Sequence, residues 1–117
     1  MQDVFKQALV QSQAGMRMIA QLTLYNRGDF QRLREFVAAS YHPTLLEEHG
    51  APARVAVLKA QYRLLGRLRI RQVIATDKHE AIVLLNAEKN DRLYLLDVGV
   101  EADYPHRILR FAQQTLN

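Results

Sequence analysis

The sequence contains no cysteine. A disulfide framework, a zinc-thiolate site and a cysteine nucleophile are therefore excluded, and nothing in the composition requires an oxidising compartment. A continuous hydrophobic stretch is also missing from the opening segment, MQDVFKQALVQSQAG, which mixes polar and apolar residues. We expect neither a signal peptide nor a membrane span, and we predict a cytoplasmic location.

Low-complexity tracts are absent as well. The composition, with 49% hydrophobic and 24% charged residues, is typical of a globular protein and excludes a disordered chain. The length of 117 residues fits one domain of common size, so we interpret residues 1–117 as a single domain. The net charge of +4 is a weak signal for an anionic partner.

Helical patterns occupy the first half of the sequence. A first helix is predicted from Asp3 to about Asn26, with a weaker centre at QSQAG, and a short amphipathic helix from Phe30 to Tyr41. Two more helices are predicted over residues 43–49 and 52–65, where a proline suits each start and a glycine each end.

An Arg27-Gly28-Asp29 tripeptide, which extracellular adhesion proteins present to integrins, lies between the first two predicted helices. Gly28 can adopt the left-handed conformation of a helix C-cap, and Asp29 can accept the free N–H groups that open the next helix. We therefore interpret the tripeptide as a helix junction, since an adhesion signal would need a secreted context that the sequence does not indicate.

The hydrophobic period changes after Gly66. The segment from Leu68 to Ala75 alternates at its start, and further strands are predicted over residues 79–88, 92–102 and 106–114. Short linkers between these strands favour an antiparallel meander. Helices followed by strands predict an α+β domain with the helices on one face of an antiparallel sheet.

Two of the predicted strands carry large apolar side chains at both odd and even positions, over Ala81 to Leu85 and Leu93 to Val100. Adjacent side chains in a strand point to opposite faces, so both faces of the sheet are expected to be covered. The helices would cover one face. A second copy of the chain, in a homodimer, or a neighbouring domain is the expected cover for the other.

The junction between the first two helices, with Leu24-Tyr25-Asn26, Gly28-Asp29, Leu33 and Phe36, resembles that of the nuclear transport factor 2-like superfamily. The resemblance covers essentially the whole chain. It implies a cone-shaped fold in which the N-terminal helices pack in the concave face of a curved four-stranded antiparallel sheet. Members use the cone interior as a small-molecule pocket, and many dimerise through the outer face of the sheet.

Two further segments are similar to parts of this superfamily. Tyr41 with Pro43 fits the usual continuation of the helix junction. Pro105-His106-Arg107-Ile108 is similar to a segment of the small domains found beside serine hydrolases of the β-lactamase type. These short motifs support a fold better than an activity.

The resemblance implies two alternative functions. In the first, a non-catalytic domain dimerises or packs on a partner domain and binds a small apolar or aromatic ligand. The pocket residues would be Tyr25, Tyr41, His42, Tyr62 and Tyr94. Tyr62 and Tyr94 belong to apolar faces of their helix and strand, so an ordinary core role with bonded hydroxyls is the alternative interpretation of both.

In the second function, the chain is an isomerase, dehydratase or cyclase of the ketosteroid-isomerase type, with Asp97 or His42 transferring a proton. Strand parity argues against Asp97, because Tyr94, Leu96, Val98 and Val100 form the uniformly apolar face. We expect Asp97 on the opposite, outer face, in an ion pair with an arginine of an adjacent strand for which Arg107 is a candidate.

Neither a metal site nor a bound cofactor is expected. His42 and His49 do not have a metal-ligand spacing such as HExxH, and His79 and His106 occupy turn-like positions. No histidine has a serine and aspartate constellation around it that would indicate a triad.

Three arginines, Arg67, Arg69 and Arg71, alternate along the first predicted strand and could contact phosphates. Neither an aromatic platform nor a phosphate-binding loop accompanies them. We interpret the row as the solvated face of an edge strand, which discourages aggregation, and we do not predict nucleic-acid binding.

Overall fold

The computed structural model describes residues 2–116, with side chains from residue 4 onward. Within these residues five helices precede four strands, which confirms the α+β class. The elements are α1 (Gln2–Val10), α2 (Gln13–Arg27), α3 (Phe30–Ser40), α4 (Pro43–Glu48), α5 (Ala51–Leu65), β1 (Leu68–Thr76), β2 (Glu80–Ala87), β3 (Leu93–Val100) and β4 (Ile108–Thr115). No helix within the described part of the chain is long and apolar enough to cross a membrane.

The segment predicted as the first helix forms two helices, α1 and α2, which meet at its weak QSQAG centre. Ser12 caps α2, because its Oγ accepts the N–H of Gly15 at 3.0 Å. The backbone of α1 also approaches Gly15 closely: a Cβ at this position would lie 2.2 Å from the carbonyl oxygen of Leu9. The cap and the bare glycine together allow the chain to turn sharply between the two helices.

The junction between α2 and α3 has the predicted caps. Gly28 is in the left-handed region, with φ 68°, and its N–H bonds to carbonyls of the last turn of α2. The Asp29 side chain accepts the N–H of Arg32 at 3.2 Å. Asn26 has an unpredicted role: its side chain accepts the N–H of Leu68 at 2.8 Å and donates to the Leu68 carbonyl at 2.9 Å. The end of α2 is thereby tied to the start of β1.

The four strands form one antiparallel sheet in the order β1-β2-β3-β4, as the short linkers predict. The register shifts at two places in β1 and at one place between β3 and β4. Such irregularities bend and twist a strand, which suits a sheet that wraps around helices.

The core lies between the helices and one face of the sheet. Inward side chains of β2 and β3, including Val83, Leu85, Leu96 and Val98, are fully buried. They form one cluster with buried helical residues: Leu9, Met18, Leu33 and Val37. The opposite side of the sheet, here called the outer face, carries half-buried residues that alternate with the core positions. The predicted assignment of faces in β3 is confirmed.

Candidate ligand-binding groove

A groove of about 270 Å³ lies where α5 meets β4, near the ends of α3 and α4. We call it the Tyr41 groove. Its walls come from five parts of the chain: α2, the residue after α3, the residue after α4, α5 and β4. The lining residues are Gln21, Tyr41, His49, Ala53, Arg54, Val57, Leu58 and Phe111.

Tyr41 and Gln21 form a buried polar pair in this groove. The Tyr41 hydroxyl donates to Gln21 Oε1 at 2.8 Å, and the two residues are 4% and 2% exposed. Burial raises the pKa of Tyr41 to about 12, although the bond to Gln21 and the charge of Arg54 act in the opposite direction. The hydroxyl is therefore a protonated donor at neutral pH and cannot act as a base there.

Aromatic and aliphatic side chains supply the apolar surface of the groove. The Tyr41 and Phe111 rings are stacked, with centroids 6.2 Å apart and an interplanar angle of 27°. Leu58 is half-buried and Val57 is 68% exposed. A flat apolar molecule could replace water on these surfaces, which is the usual source of affinity in a small-molecule site.

Arg54 is the fixed cation of the groove. Its Nε donates to the His49 carbonyl and its Nη2 to the Leu45 carbonyl, each at 2.7 Å. Its guanidinium carbon lies 5.2 Å from the centroid of the Tyr41 ring, within the range of a cation-π interaction. The carbonyls belong to the C-terminal end of α4, where a positive charge is also favoured by the helix dipole.

Three of the predicted pocket residues, Tyr25, Tyr62 and Tyr94, lie outside the Tyr41 groove. Tyr25 and Tyr62 are in edge-to-face contact at 5.3 Å, and the Tyr25 hydroxyl donates to the Gly66 carbonyl at 2.9 Å. Tyr94 accepts a hydrogen bond from Asn90 at 3.3 Å. Burial raises the pKa of Tyr25. These three tyrosines have the partners of core residues, and among the predicted pocket residues only Tyr41 lines the Tyr41 groove.

His42 lies beside the Tyr41 groove but does not line it. Its Nδ1 accepts the N–H of Thr44 at 3.2 Å, so the side chain caps α4. Its Nε2 lies 3.8 Å from Glu101 Oε1. The imidazole is thus engaged on both sides, by a helix end and by a carboxylate.

Asp97 lies on the outer face, away from the Tyr41 groove. Its partner is Arg110, at 2.9 Å, which also contacts Glu80 at 2.6 Å. The guanidinium of Arg110 lies across Gly99, where a Cβ would come within 2.9 Å of it. The prediction of Arg107 as the partner is wrong. The register places Arg110 opposite Gly99 and therefore beside Asp97. The backbone N–H of Arg107 instead donates to the Glu101 side chain.

The predicted arginine row lies along one surface groove. Arg67, Arg69 and Arg71 line it together with Glu88 and Asp91, so that two carboxylates offset part of the charge. Arg71 donates to Asn86 Oδ1 at 2.9 Å from a position where the register of β1 shifts. Among the described residues, no group of three or more histidine, aspartate or glutamate side chains could hold a metal ion.

A smaller cavity, of about 210 Å³, lies between α1, α2 and β1. Its walls are mostly apolar. Of its polar residues, Lys6, Thr23 and Arg69 are exposed, and Asn26 is occupied by the backbone of β1. The Tyr41 groove is the stronger candidate because its polar groups are both positioned and close to an aromatic surface.

Of the polar and aromatic residues that line the Tyr41 groove, Tyr41 was predicted from the sequence, but Gln21, Arg54 and Phe111 were not. Gln21 belongs to a helix with ordinary polar spacing, and Arg54 is one of many arginines, so neither has a local signal.

Comparison of the chain with protein-family models, curated proteins and solved structures gave no match.

Proposed function

We propose that the chain is a non-catalytic domain of the nuclear transport factor 2-like superfamily that binds a small apolar or aromatic molecule in the Tyr41 groove. The proposal is supported by helices packed on one face of a four-stranded antiparallel meander. The observation that carries it is the stacked Tyr41 and Phe111 pair beside the buried, hydrogen-bonded pair of Tyr41 and Gln21. An apolar molecule can bury its surface against these two aromatic rings.

The chemistry of the Tyr41 groove favours binding over proton transfer. No carboxylate of the described residues lines it, and the Tyr41 hydroxyl is held in its protonated form. The two candidate residues of the catalytic alternative lie elsewhere: Asp97 pairs with Arg110 on the outer face, and His42 caps α4. A general acid or base must be within hydrogen-bond reach of the substrate, and neither residue lines the groove.

The ligand proposal is tested with a neutral aromatic probe, naphthylmethanol, by NMR shift mapping on the purified protein. We expect shifts concentrated around Tyr41, Leu58 and Phe111. Ala53→Leu, which fills the groove from α5, should weaken binding, whereas Ala56→Leu, at another exposed position of α5, should not. Binding that is absent, or that Ala53→Leu leaves unchanged, contradicts the proposal.

The same proposal includes a partner on the outer face, and we commit to a second copy of the chain. The centre of this face is apolar: it consists of the half-buried residues Ile82, Leu84, Leu93 and Leu95. A soluble protein rarely leaves such a contiguous apolar surface open to water.

The charges around this centre are arranged so that two copies would complement each other. At one end, Glu80 and Asp97 share the single cation Arg110, so the carboxylates are in excess. At the other end lie Arg69 and Arg71 of β1. A two-fold axis that runs across the strands would place each basic end over the acidic end of the other copy, as an isologous interface requires.

Sedimentation velocity over a range of protein concentrations tests this interface. We expect a dimer that Leu84→Arg dissociates, because the substitution buries a charge at the centre of the contact. Leu64→Arg is the matched control, since Leu64 is 75% exposed on α5 and lies outside the outer face. A chain that stays monomeric at high concentration would exclude the second copy and leave a neighbouring domain as the expected cover.

A further inference from the structure

We propose that the Tyr41 groove is selective for small organic anions, namely carboxylates with an aromatic or apolar body, and that Arg54 binds the carboxylate. This inference rests on the proposed function, because it assigns a ligand class to the same groove. It follows from the state of the Arg54 guanidinium and from the charge of its surroundings.

Arg54 is held in one orientation before any ligand arrives. Two carbonyl oxygens, of Leu45 and His49, accept from its Nη2 and Nε, and the Tyr41 ring lies below its guanidinium carbon. These bonds use two of the five N–H groups of an arginine side chain. A guanidinium that is already fixed loses little conformational entropy when it binds an anion.

The charge of Arg54 has no carboxylate partner among the described residues. It forms none of the ion pairs found there, in contrast to Arg110, which contacts two carboxylates. Its hydrogen-bond acceptors among the described residues are neutral carbonyls, and no aspartate or glutamate of this part of the chain lines the groove. A half-buried cation without a counter-ion is a position where an anionic ligand gains a charge-assisted hydrogen bond.

The other titratable side chains that line the groove do not offset this charge. His49 lines the groove at an exposed position and is never negatively charged, and the Tyr41 hydroxyl stays neutral. Glu47 lines a neighbouring groove on the α3 and α4 side and does not line the Tyr41 groove. The electrostatic preference of the groove is therefore for an anion.

The size and surface of the groove define the rest of the ligand. A volume of about 270 Å³ lies just below the range of about 300–1,000 Å³ that is usual for ligand pockets, so a molecule with one or two rings is expected. Its apolar body would lie against Phe111 and Leu58, while its carboxylate accepts from the unused N–H groups of Arg54. Planar carboxylates fit the fork of a guanidinium better than point-like anions do.

The test compares three probes of nearly equal shape: naphthoate, naphthylmethanol and naphthylmethylammonium. Isothermal titration and NMR shift mapping on the wild-type chain should show naphthoate binding about 10- to 100-fold more tightly than the alcohol, as expected for hydrogen bonds to a charged group. The ammonium probe should bind more weakly than the alcohol. This comparison needs no variant, so it remains decisive if a substitution impairs folding.

Arg54→Gln should remove the preference for naphthoate over the alcohol, because the variant keeps the aromatic surface but lacks the cation. Arg54→Lys should retain part of the preference, since it keeps the charge but loses the fork. Arg107→Gln is the matched control: it removes an equal charge from the neighbouring groove and should leave the preference unchanged.

The outcomes separate the two proposals. Equal binding of all three probes in the groove would overturn the anion preference and leave the ligand-binding function intact. A preference that persists in Arg54→Gln would overturn the assignment of Arg54. Failure of every probe to bind in the groove would refute the proposed function together with this inference.

Discussion

Removal of the Tyr41 hydroxyl is the perturbation that most directly tests the structure of the groove. Tyr41→Phe keeps the ring stacked on Phe111 and below Arg54 but leaves Gln21 Oε1 without its donor. Gln21 is 2% exposed, so water cannot easily replace the lost bond. An unsatisfied buried acceptor costs about 1–3 kcal/mol, and we expect the free energy of unfolding near neutral pH to fall by that amount.

The same hydroxyl should make stability depend on pH in the alkaline range. Its pKa rises from 10.0 to about 12 in the folded chain. Folding thus favours the protonated Tyr41 hydroxyl. The contribution of this preference to the free energy of unfolding is fully present at pH values below the tyrosine pKa of the unfolded chain. This stabilisation is lost as the pH rises through about 12, and the rise in the pKa of Tyr41 corresponds to about 3 kcal/mol. In Tyr41→Phe this loss cannot occur, so the stability difference between the proteins should shrink with rising pH.

Urea unfolding followed by circular dichroism, at neutral pH and at steps between pH 10 and about 12, measures both effects. Tyr104→Phe is the control, because Tyr104 is 89% exposed and should change stability by less than about 0.5 kcal/mol. Contributions that the wild type and the variant share cancel in the difference. Equal stability of the wild type and Tyr41→Phe at neutral pH, or a difference independent of pH, would refute the reasoning.

Three further substitutions test the local structure, each by urea unfolding. Gly15→Ala should cost about 1–3 kcal/mol, because its Cβ would meet the Leu9 carbonyl at 2.2 Å; a neutral effect would contradict the close approach of α1. Asn26→Ala should cost about 1–3 kcal/mol through two lost bonds to Leu68, and Asn26→Asp should not restore stability, since a carboxylate would face the Leu68 carbonyl. Full rescue by aspartate would mean that the donated bond is unimportant. Arg110→Gln should cost less than about 1 kcal/mol, because its ion pairs are exposed, and a larger loss would indicate a structural role for the network.

The helix junctions show how much local structure the sequence already contains. Gly28 and Asp29 were predicted as caps, and both have that role. The break between α1 and α2 was predicted only as a weak helix centre. Its local signals were Ser12 and Gly15, but the close approach of the Leu9 backbone to Gly15 is a contact between two helices and cannot be derived from helical periodicity.

The sheet shows the same division. Alternation within β3 predicted that Asp97 lies opposite the apolar face, and parity alone sufficed for this. The identity of its partner depended on register and on the absence of a side chain at Gly99, which allows Arg110 to lie across the strand. A slip of one residue in the pairing of β3 with β4 would have turned Arg110 to the opposite face of the sheet.

The sequence by itself determined the order of helices and strands, the caps at the helix junction and the faces of β3. These features depend on backbone dihedral preferences and on a period of a few residues, which are local properties. Only the tertiary structure decided where the candidate site lies. Gln21, Tyr41, Arg54 and Phe111 have no common sequence pattern, and they meet because α2, α5 and β4 pack around the residue that follows α3. The same packing separated Tyr41 from the other predicted tyrosines, and it left Arg54 fixed without a carboxylate partner in the described chain. Contacts of this kind depend on how whole helices and strands are arranged around the core, which no local pattern encodes.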